Sequence, residues 1–170
     1  MTATVLEQGN ISIHTENIFP IIKKWLYSDH EIFIRELVSN GVDAISKLNM
    51  LSRTGEFSEE VAPQITIAID KEAKTLSITD NGIGMTADEI KKYINQVAFS
   101  SAEEFINKFK DESDQQIIGH FGLGFYSSFM VADRVDIDTL SWQEGAQSVH
   151  WSCDGSTSFE LSESARTERG

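Results

Sequence analysis

The sequence predicts an α+β fold in which helices cover one face of a largely antiparallel sheet, as a two-layer sandwich. Apolar residues recur at helical spacing in the first third of the chain, whereas short segments that alternate apolar and polar residues dominate its last third. Helices followed by runs of strands are typical of the α+β class. The 170 residues suffice for one domain with its own core.

Two helices are predicted near the start of the chain. Residues 15–28 carry isoleucine, tryptophan and leucine at helical spacing. Residues 30 to about 51 place apolar side chains on one side and polar side chains on the other. The second pattern is the longer one and predicts an amphipathic helix of several turns.

A hairpin and a capped helix are predicted next. Residues 65–69 and 76–78 both alternate apolar and polar side chains across a short polar link, which predicts an antiparallel pair. A turn follows at residues 80–82. Thr86 with Glu89 three positions later has the spacing of a capping box, so a short helix is expected over residues 86–94.

The remaining elements are a loop, a helix and three strands. Residues 100–116 are polar and charged, which predicts a weakly anchored helix within a mobile loop. A glycine-rich loop over residues 119–124 leads into an apolar helix over residues 125–132. Strands are predicted at 134–140, 147–152 and 158–161. Residues 162–170 form a polar connector, which suggests that residues 1–170 are one domain, cut short, of a longer protein.

Composition narrows the classes of partner. The chain has 14 Lys+Arg against 27 Asp+Glu, a formal net charge of −13. Proteins that bind nucleic acid or anionic membranes rely on clustered basic residues, so neither is expected as a partner. One cysteine, Cys153, allows no internal disulfide and no thiolate zinc site. Without a signal peptide or a membrane-length apolar run, the sequence predicts a cytoplasmic protein.

The long predicted helix carries the first group of candidate residues. Steps of four and three residues place Glu36, Asn40 and Asp43 within about 60° of arc, and Lys47 falls inside the same arc. A solvated helix face is the alternative. Against it, Asn40 and Gly41 both disfavour a helix interior. A carboxylate can accept a proton from water, and a carboxamide oxygen is a hard ligand for Mg²⁺.

The second group follows the predicted hairpin. Ionised Asp80 is purely an acceptor, which suits a ligand amino group such as that of adenine. Gly82 and Gly84 leave room for a planar ring to approach the backbone, and Met85 follows them. The alternative is a plain hairpin turn. No alternating strand returns after Gly84, which weighs against that alternative.

The third group is the glycine-rich loop at residues 119–124. Glycine-rich backbone entering a helix offers N–H groups and the positive end of the helix dipole, which together accept phosphate. The loop is neither a Walker A loop nor a dinucleotide fingerprint. Each group alone has an ordinary structural explanation, but together they supply a metal and water site, a base site and a phosphate site.

These residues resemble a known family. The segments at residues 36–44, 80–85 and 119–126 are similar to the nucleotide-binding domain of the bacterial heat shock protein 90 chaperones, within the gyrase, chaperone, histidine-kinase and mismatch-repair ATPases. The flanks at residues 27–36 and 125–134 match the chaperone branch. The resemblance runs from about residue 8 to residue 170.

The resemblance implies a fold and roles. It implies a sheet of about eight strands, ATP or ADP bound with Mg²⁺, and a lid over roughly residues 98–119 that closes on ATP. Glu36 corresponds to the general base, Asn40 to the Mg²⁺ ligand and Asp80 to the adenine-reading aspartate. The other expected nucleotide-binding residues are Asp43, Ala44, Lys47, Gly84, Met85, Ile94, Gly122, Leu123, Gly124 and Phe125.

The resemblance also implies partners, but the sequence departs from the family pattern at the start of the lid, where a lysine and two hinge glycines of the family are missing. Client proteins and a homodimer partner belong to the full-length protein, in stress response and protein folding, whereas the isolated domain is expected to be monomeric. Phe99 stands where the family has a lysine, and a catalytic arginine of a later domain lies outside this chain. Slow or negligible turnover is therefore expected in the fragment. The alternative function is a nucleotide-sensing switch with little hydrolysis, and a third is a small interaction domain.

Overall fold

A computed structural model gives the fold and describes residues 4–10, 31–96, 124–156 and 158–170. Four predictions lie outside these residues: the helix at 15–28, the segment at 100–116, the whole lid at 98–119, and the glycine-rich loop except for Gly124. The described part is α+β with antiparallel strand pairing throughout, as the sequence predicts. None of its helices is both long enough and apolar enough to cross a membrane.

Within the part of the chain that the structure describes, the larger sheet has four antiparallel strands. These are β1 (Val5–Asn10), β4 (Val135–Thr139), β5 (Val149–Cys153) and β6 (Ser158–Glu163), in the order β1-β6-β5-β4. Three of them are the strands predicted in the last third of the chain. The residue pattern does not predict β1, which among the described strands lies at the sheet edge and pairs only with β6.

The smaller sheet is the predicted hairpin. Strand β2 (Ile65–Asp70) pairs with β3 (Thr75–Asp80), with Ile67 opposite Ile78 and Ile69 opposite Leu76. The six strands of the described residues thus form two sheets, and the single sheet of about eight strands remains a prediction.

Helix α1 (Ile32–Thr54) is the long predicted helix and ends at Gly55, whose φ of 80° is left-handed. Its unusual internal glycine has a packing reason. A Cβ on Gly41 would lie 3.2 Å from Ile65 Cδ1 and 3.3 Å from Asp80 Cβ. Gly41 therefore lets the helix backbone approach the hairpin at the residue that ends β3.

The capping box is confirmed. Glu89 N donates to Thr86 Oγ1 at 3.3 Å, and Thr86 N donates to Glu89 Oε2 at 2.8 Å. Helix α2 (Ala87–Ile90) starts there and continues as a π-helical segment, Lys91–Gln96. Together they cover the helix predicted at residues 86–94.

The predicted apolar helix at residues 125–132 is a 3₁₀ helix, Gly124–Met130. Ser128 Oγ donates to the Phe125 carbonyl at 2.7 Å. A side chain that takes up a carbonyl three residues back competes with α-helical pairing and favours the tighter turn. The segment packs against α1.

One apolar core lies between the larger sheet and the helices. Trp151 and Ile90 have no exposed surface, and Leu161 is almost as fully buried. Phe125 meets Trp151 edge to face, with ring centroids 5.6 Å apart. Residues of the larger sheet, of α2 and of the 3₁₀ helix therefore share one core.

Candidate functional site

The segment from Asp80 to Met85 is fixed first against α1. Ile83 N donates to the Ala44 carbonyl at 3.1 Å. A Cβ on Gly82 would lie 2.5 Å from the Ala44 carbonyl carbon and 2.7 Å from Ala44 Cβ. Because real Cβ atoms do not come so close, only glycine allows the turn to lie on the helix here. Ala44, a predicted site residue, is thus in direct contact with this turn.

The same segment is fixed on its other side at the end of β4. Met85 N donates to Thr139 Oγ1 at 2.9 Å, and Trp142 N donates to the Ile83 carbonyl at 2.9 Å. Gly84 has a φ of 64°, and a Cβ there would lie 2.0 Å from the Leu140 carbonyl oxygen. In the structure, both glycines serve close packing of protein against protein.

Asp80 lies at the centre of this arrangement. Its Oδ1 accepts a hydrogen bond from Gly82 N at 2.8 Å. Burial raises the pKa of Asp80, and the Gly82 hydrogen bond and the charges of Arg166 and Arg169 offset part of that rise. The carboxylate is therefore a half-buried acceptor with a defined direction.

The polar strip of α1 borders the contact with the turn. At about 100° per residue, Asn40 lies about 40° around the helix from Ala44, and Glu36 follows Asn40 on the same side. Asn40, Asp43 and Lys47 are exposed, whereas Glu36 is half-buried. Burial raises the pKa of Glu36, and the charge of Arg35 opposes the rise.

The apolar candidates lie against the core next to this segment. Phe125 is buried, and Met85 and Ile94 are partly buried side chains that pack on the same core cluster. Tyr93, beside Ile94, has its ring centroid 6.0 Å from Lys47 Nζ. These three apolar candidates therefore come from three separate segments that pack on one core cluster.

The structure describes only part of the glycine-rich loop whose residues are candidates for binding phosphate. Gly124 opens the 3₁₀ helix that packs on α1, while Gly122 and Leu123 lie outside the described residues. Within the described ranges, no group of three or more His, Cys, Asp or Glu side chains is arranged so that it could hold a metal ion.

The sequence patterns did not identify two arginines that contact the turn at residues 80–82. Arg166 Nη2 donates to the Asp80 carbonyl at 3.4 Å, and Arg169 Nη1 donates to the carbonyls of Asn81 and Gly82, the latter at 2.6 Å. Both belong to the segment read as a polar connector. The available signal was two positive charges three positions apart on a chain with a large excess of acid.

Comparison with known proteins defines the class. Residues 27–164 match the family described as histidine kinase-, DNA gyrase B-, and HSP90-like ATPases. This match covers most of the chain, so the protein belongs to that family.

Comparison with individual relatives identifies a narrower group of proteins within this family. The chain is 56% identical over 165 residues to the chaperone protein HtpG of Bacteroides thetaiotaomicron and 54% identical over 165 residues to that of Porphyromonas gingivalis. It is 37% identical over 170 residues to HtpG of Desulfitobacterium hafniense. These alignments cover 97%, 96% and 97% of this chain, but it spans only 24%, 24% and 28% of those proteins. The resemblance to bacterial heat shock protein 90 chaperones is confirmed.

Proposed function

We propose that this chain is the ATP-binding and ATP-hydrolysing domain of a molecular chaperone, with slow or negligible turnover when it is isolated from the full-length protein. The observation that carries the proposal is the double attachment of the segment from Asp80 to Met85, to Ala44 of α1 and to Thr139 of β4. It brings the candidate base residues beside the polar strip of α1. Family membership supports the same activity.

Asp80 is the proposed reader of the base. Its carboxylate is half-buried and already accepts from Gly82 N, and a carboxylate can accept several further hydrogen bonds. The exocyclic amine of adenine is a donor that fits this acceptor. Guanine has a carbonyl oxygen at the corresponding position, which would face the carboxylate without a shared proton.

Glu36 and Asn40 are the proposed catalytic and metal-binding residues. A carboxylate whose pKa is raised takes a proton from water more readily, which suits Glu36 to act as general base. The exposed Asn40 carboxamide offers one hard oxygen, which fits a Mg²⁺ that arrives with the nucleotide and keeps several waters. When bound, Mg²⁺ supplies positive charge to the phosphates.

The remaining roles belong to the same proposal. Residues 122–124 present backbone N–H groups to the phosphates, and residues of about 98–119 form the lid. Lid closure then controls docking of a second protomer and the grip on client proteins in the full-length chaperone, in the cytoplasm. The relatives are named chaperone proteins, which supports the chaperone part of this proposal.

Calorimetry with Mg-ADP tests the proposal. The unmodified chain should bind Mg-ADP, and Asp80→Asn should weaken binding at least about tenfold, because a charged hydrogen-bond acceptor is lost. Asp133→Asn is the matched control, since Asp133 is exposed and lies outside the segment from Asp80 to Met85. No heat of binding at millimolar Mg-ADP, from protein shown to be folded, would overturn the proposal.

A further inference from the structure

All three carbonyl oxygens of the turn Asp80–Asn81–Gly82 accept hydrogen bonds from arginine. Arg166 donates to the carbonyl of Asp80, and Arg169 donates to those of Asn81 and Gly82. A guanidinium is a planar fork of donors and can hold two neighbouring carbonyls at once. Arg169 is therefore the residue that spans the end of the turn.

Arg169 is itself held in place. Its guanidinium carbon lies 5.0 Å from the centroid of the Phe57 ring, just after α1. The next residue, Gly170, exchanges two backbone hydrogen bonds with Leu140, each of 3.0 Å. Its side chain and its backbone are thus anchored on different elements, so the guanidinium meets the turn in a fixed position.

The contact reaches the Asp80 carboxylate through one peptide group. Arg169 donates to the carbonyl of Asn81, and the N–H of that same planar peptide, on Gly82, donates to Asp80 Oδ1. Hydrogen bonds in series polarise one another. The direction of the carboxylate therefore depends on the orientation of a peptide that Arg169 holds.

Asn81 strengthens the turn on its outer side. Its Oδ1 accepts from Gln64 N at 2.9 Å, and its Nδ2 donates to the Ala62 carbonyl at 2.8 Å. The side chain of Asn81 is thus engaged with the segment before β2, and its carbonyl is left to face Arg169. Burial raises the pKa of Asp80, and the charge of Arg169 offsets part of that rise, which favours the ionised acceptor.

We propose that Arg169 is a positioning residue for base selection, which holds the Asn81–Gly82 peptide and thereby aims the Asp80 carboxylate at the adenine amine. This inference rests on the proposed function. Arg169 acts through Gly82 and Asp80 and does not itself touch the base. Its loss lets the carboxylate turn, so preference for adenine over guanine falls.

The test compares Mg-ADP and Mg-GDP binding by calorimetry in the unmodified protein, Arg169→Ala and Arg169→Lys. The ratio of the two affinities should fall about tenfold in Arg169→Ala, the effect of one weakened charged hydrogen bond. Arg169→Lys should keep part of the preference, because an ammonium lacks the fork. Arg134→Ala, which removes an exposed arginine paired with Asp136, should leave the ratio unchanged.

The outcomes separate failure of the proposed nucleotide-binding function from failure of the proposed role of Arg169. If the unmodified protein binds neither nucleotide, the proposed function fails and this inference fails with it. If it prefers Mg-ADP and folded Arg169→Ala keeps that preference, or loses both affinities in equal proportion, the inference alone is overturned. Should Arg169→Ala not fold, a folded Arg169→Lys with the unmodified ratio overturns it equally.

Discussion

Gly84 lies so close to Leu140 that a Cβ on Gly84 would come within 2.0 Å of the Leu140 carbonyl oxygen. This contact ties the candidate base segment to the end of β4. It also explains why the sequence has glycine at a position with a φ of 64°. Any side chain here has to push the segment away from the sheet.

Replacing Gly84 by alanine should therefore be severe. We expect Gly84→Ala to lower the free energy of unfolding by about 3 kcal/mol or more, since backbone strain and a backbone clash add together. Gly145→Ala is the matched control, because Gly145 has a φ of 77° but nothing within 4 Å of its added Cβ. It should cost about 1 kcal/mol. Urea denaturation measures both, and equal losses would contradict the packing argument.

The ionised Asp80 side chain should destabilise the folded protein at pH 7. Its folded-state pKa is raised above its usual value of 3.8, so the stability it contributes is present below pH 3.8 and is lost as the pH rises through the folded pKa. At pH 7 the ionised side chain thus opposes folding. Asp80→Asn should raise the free energy of unfolding, on the order of 1 kcal/mol as at other functional sites, while it weakens Mg-ADP binding. A less stable Asp80→Asn protein would refute this reading.

Asp138 should behave in the opposite way. Its Oδ1 accepts from Ser164 Oγ at 2.6 Å and lies 2.9 Å from His150 Nδ1. Burial raises the pKa of Asp138, but these contacts outweigh burial and hold it below its usual value. Its stabilising contribution is therefore present above pH 3.8 and is lost as the pH falls through the folded pKa.

Thermal unfolding across pH measures this contribution. Asp138→Asn should lower the melting temperature at pH 7, and the difference from the unmodified protein should shrink as the pH falls below 3.8. Asp133→Asn, on an exposed residue before β4, should have no such pH-dependent effect. A loss for Asp138→Asn that stays constant down to pH 2 would show that the carboxylate charge is not responsible.

Glu36 should matter for turnover far more than for binding. Glu36→Ala in the full-length protein should leave the affinity for Mg-ATP within about threefold and lower hydrolysis by about a hundredfold or more, as expected when a general base is lost. Single-turnover conversion of bound ATP to ADP measures the step. Unchanged turnover would remove Glu36 from the role of base.

Local sequence signals predicted those elements that depend on local physics. Alternation over residues 65–78 and the Thr86–Glu89 spacing gave the hairpin and the capping box, because both depend on neighbouring residues. Strand β1 has no such signal, since it forms by pairing with the distant β6. The 3₁₀ geometry of Gly124–Met130 depends on a side chain that bonds its own backbone.

Local sequence patterns likewise predict some residues of the candidate site but not the contacts between them. Asp80 and the polar strip of α1 stand out by residue type and spacing. The contacts that join them do not, because Gly41, Gly82 and Gly84 are needed only once the distant partners are in place. Arg166 and Arg169 lie more than eighty positions after the turn that they hold, so no local pattern could connect them to it.

A crystal structure of the protein with Mg-ADP tests the central claim most directly. We expect the adenine amine within hydrogen-bonding distance of the Asp80 carboxylate, and Mg²⁺ beside the Asn40 carboxamide, with the ring against Met85. Nucleotide bound elsewhere, with Asp80 facing no base, would contradict the account.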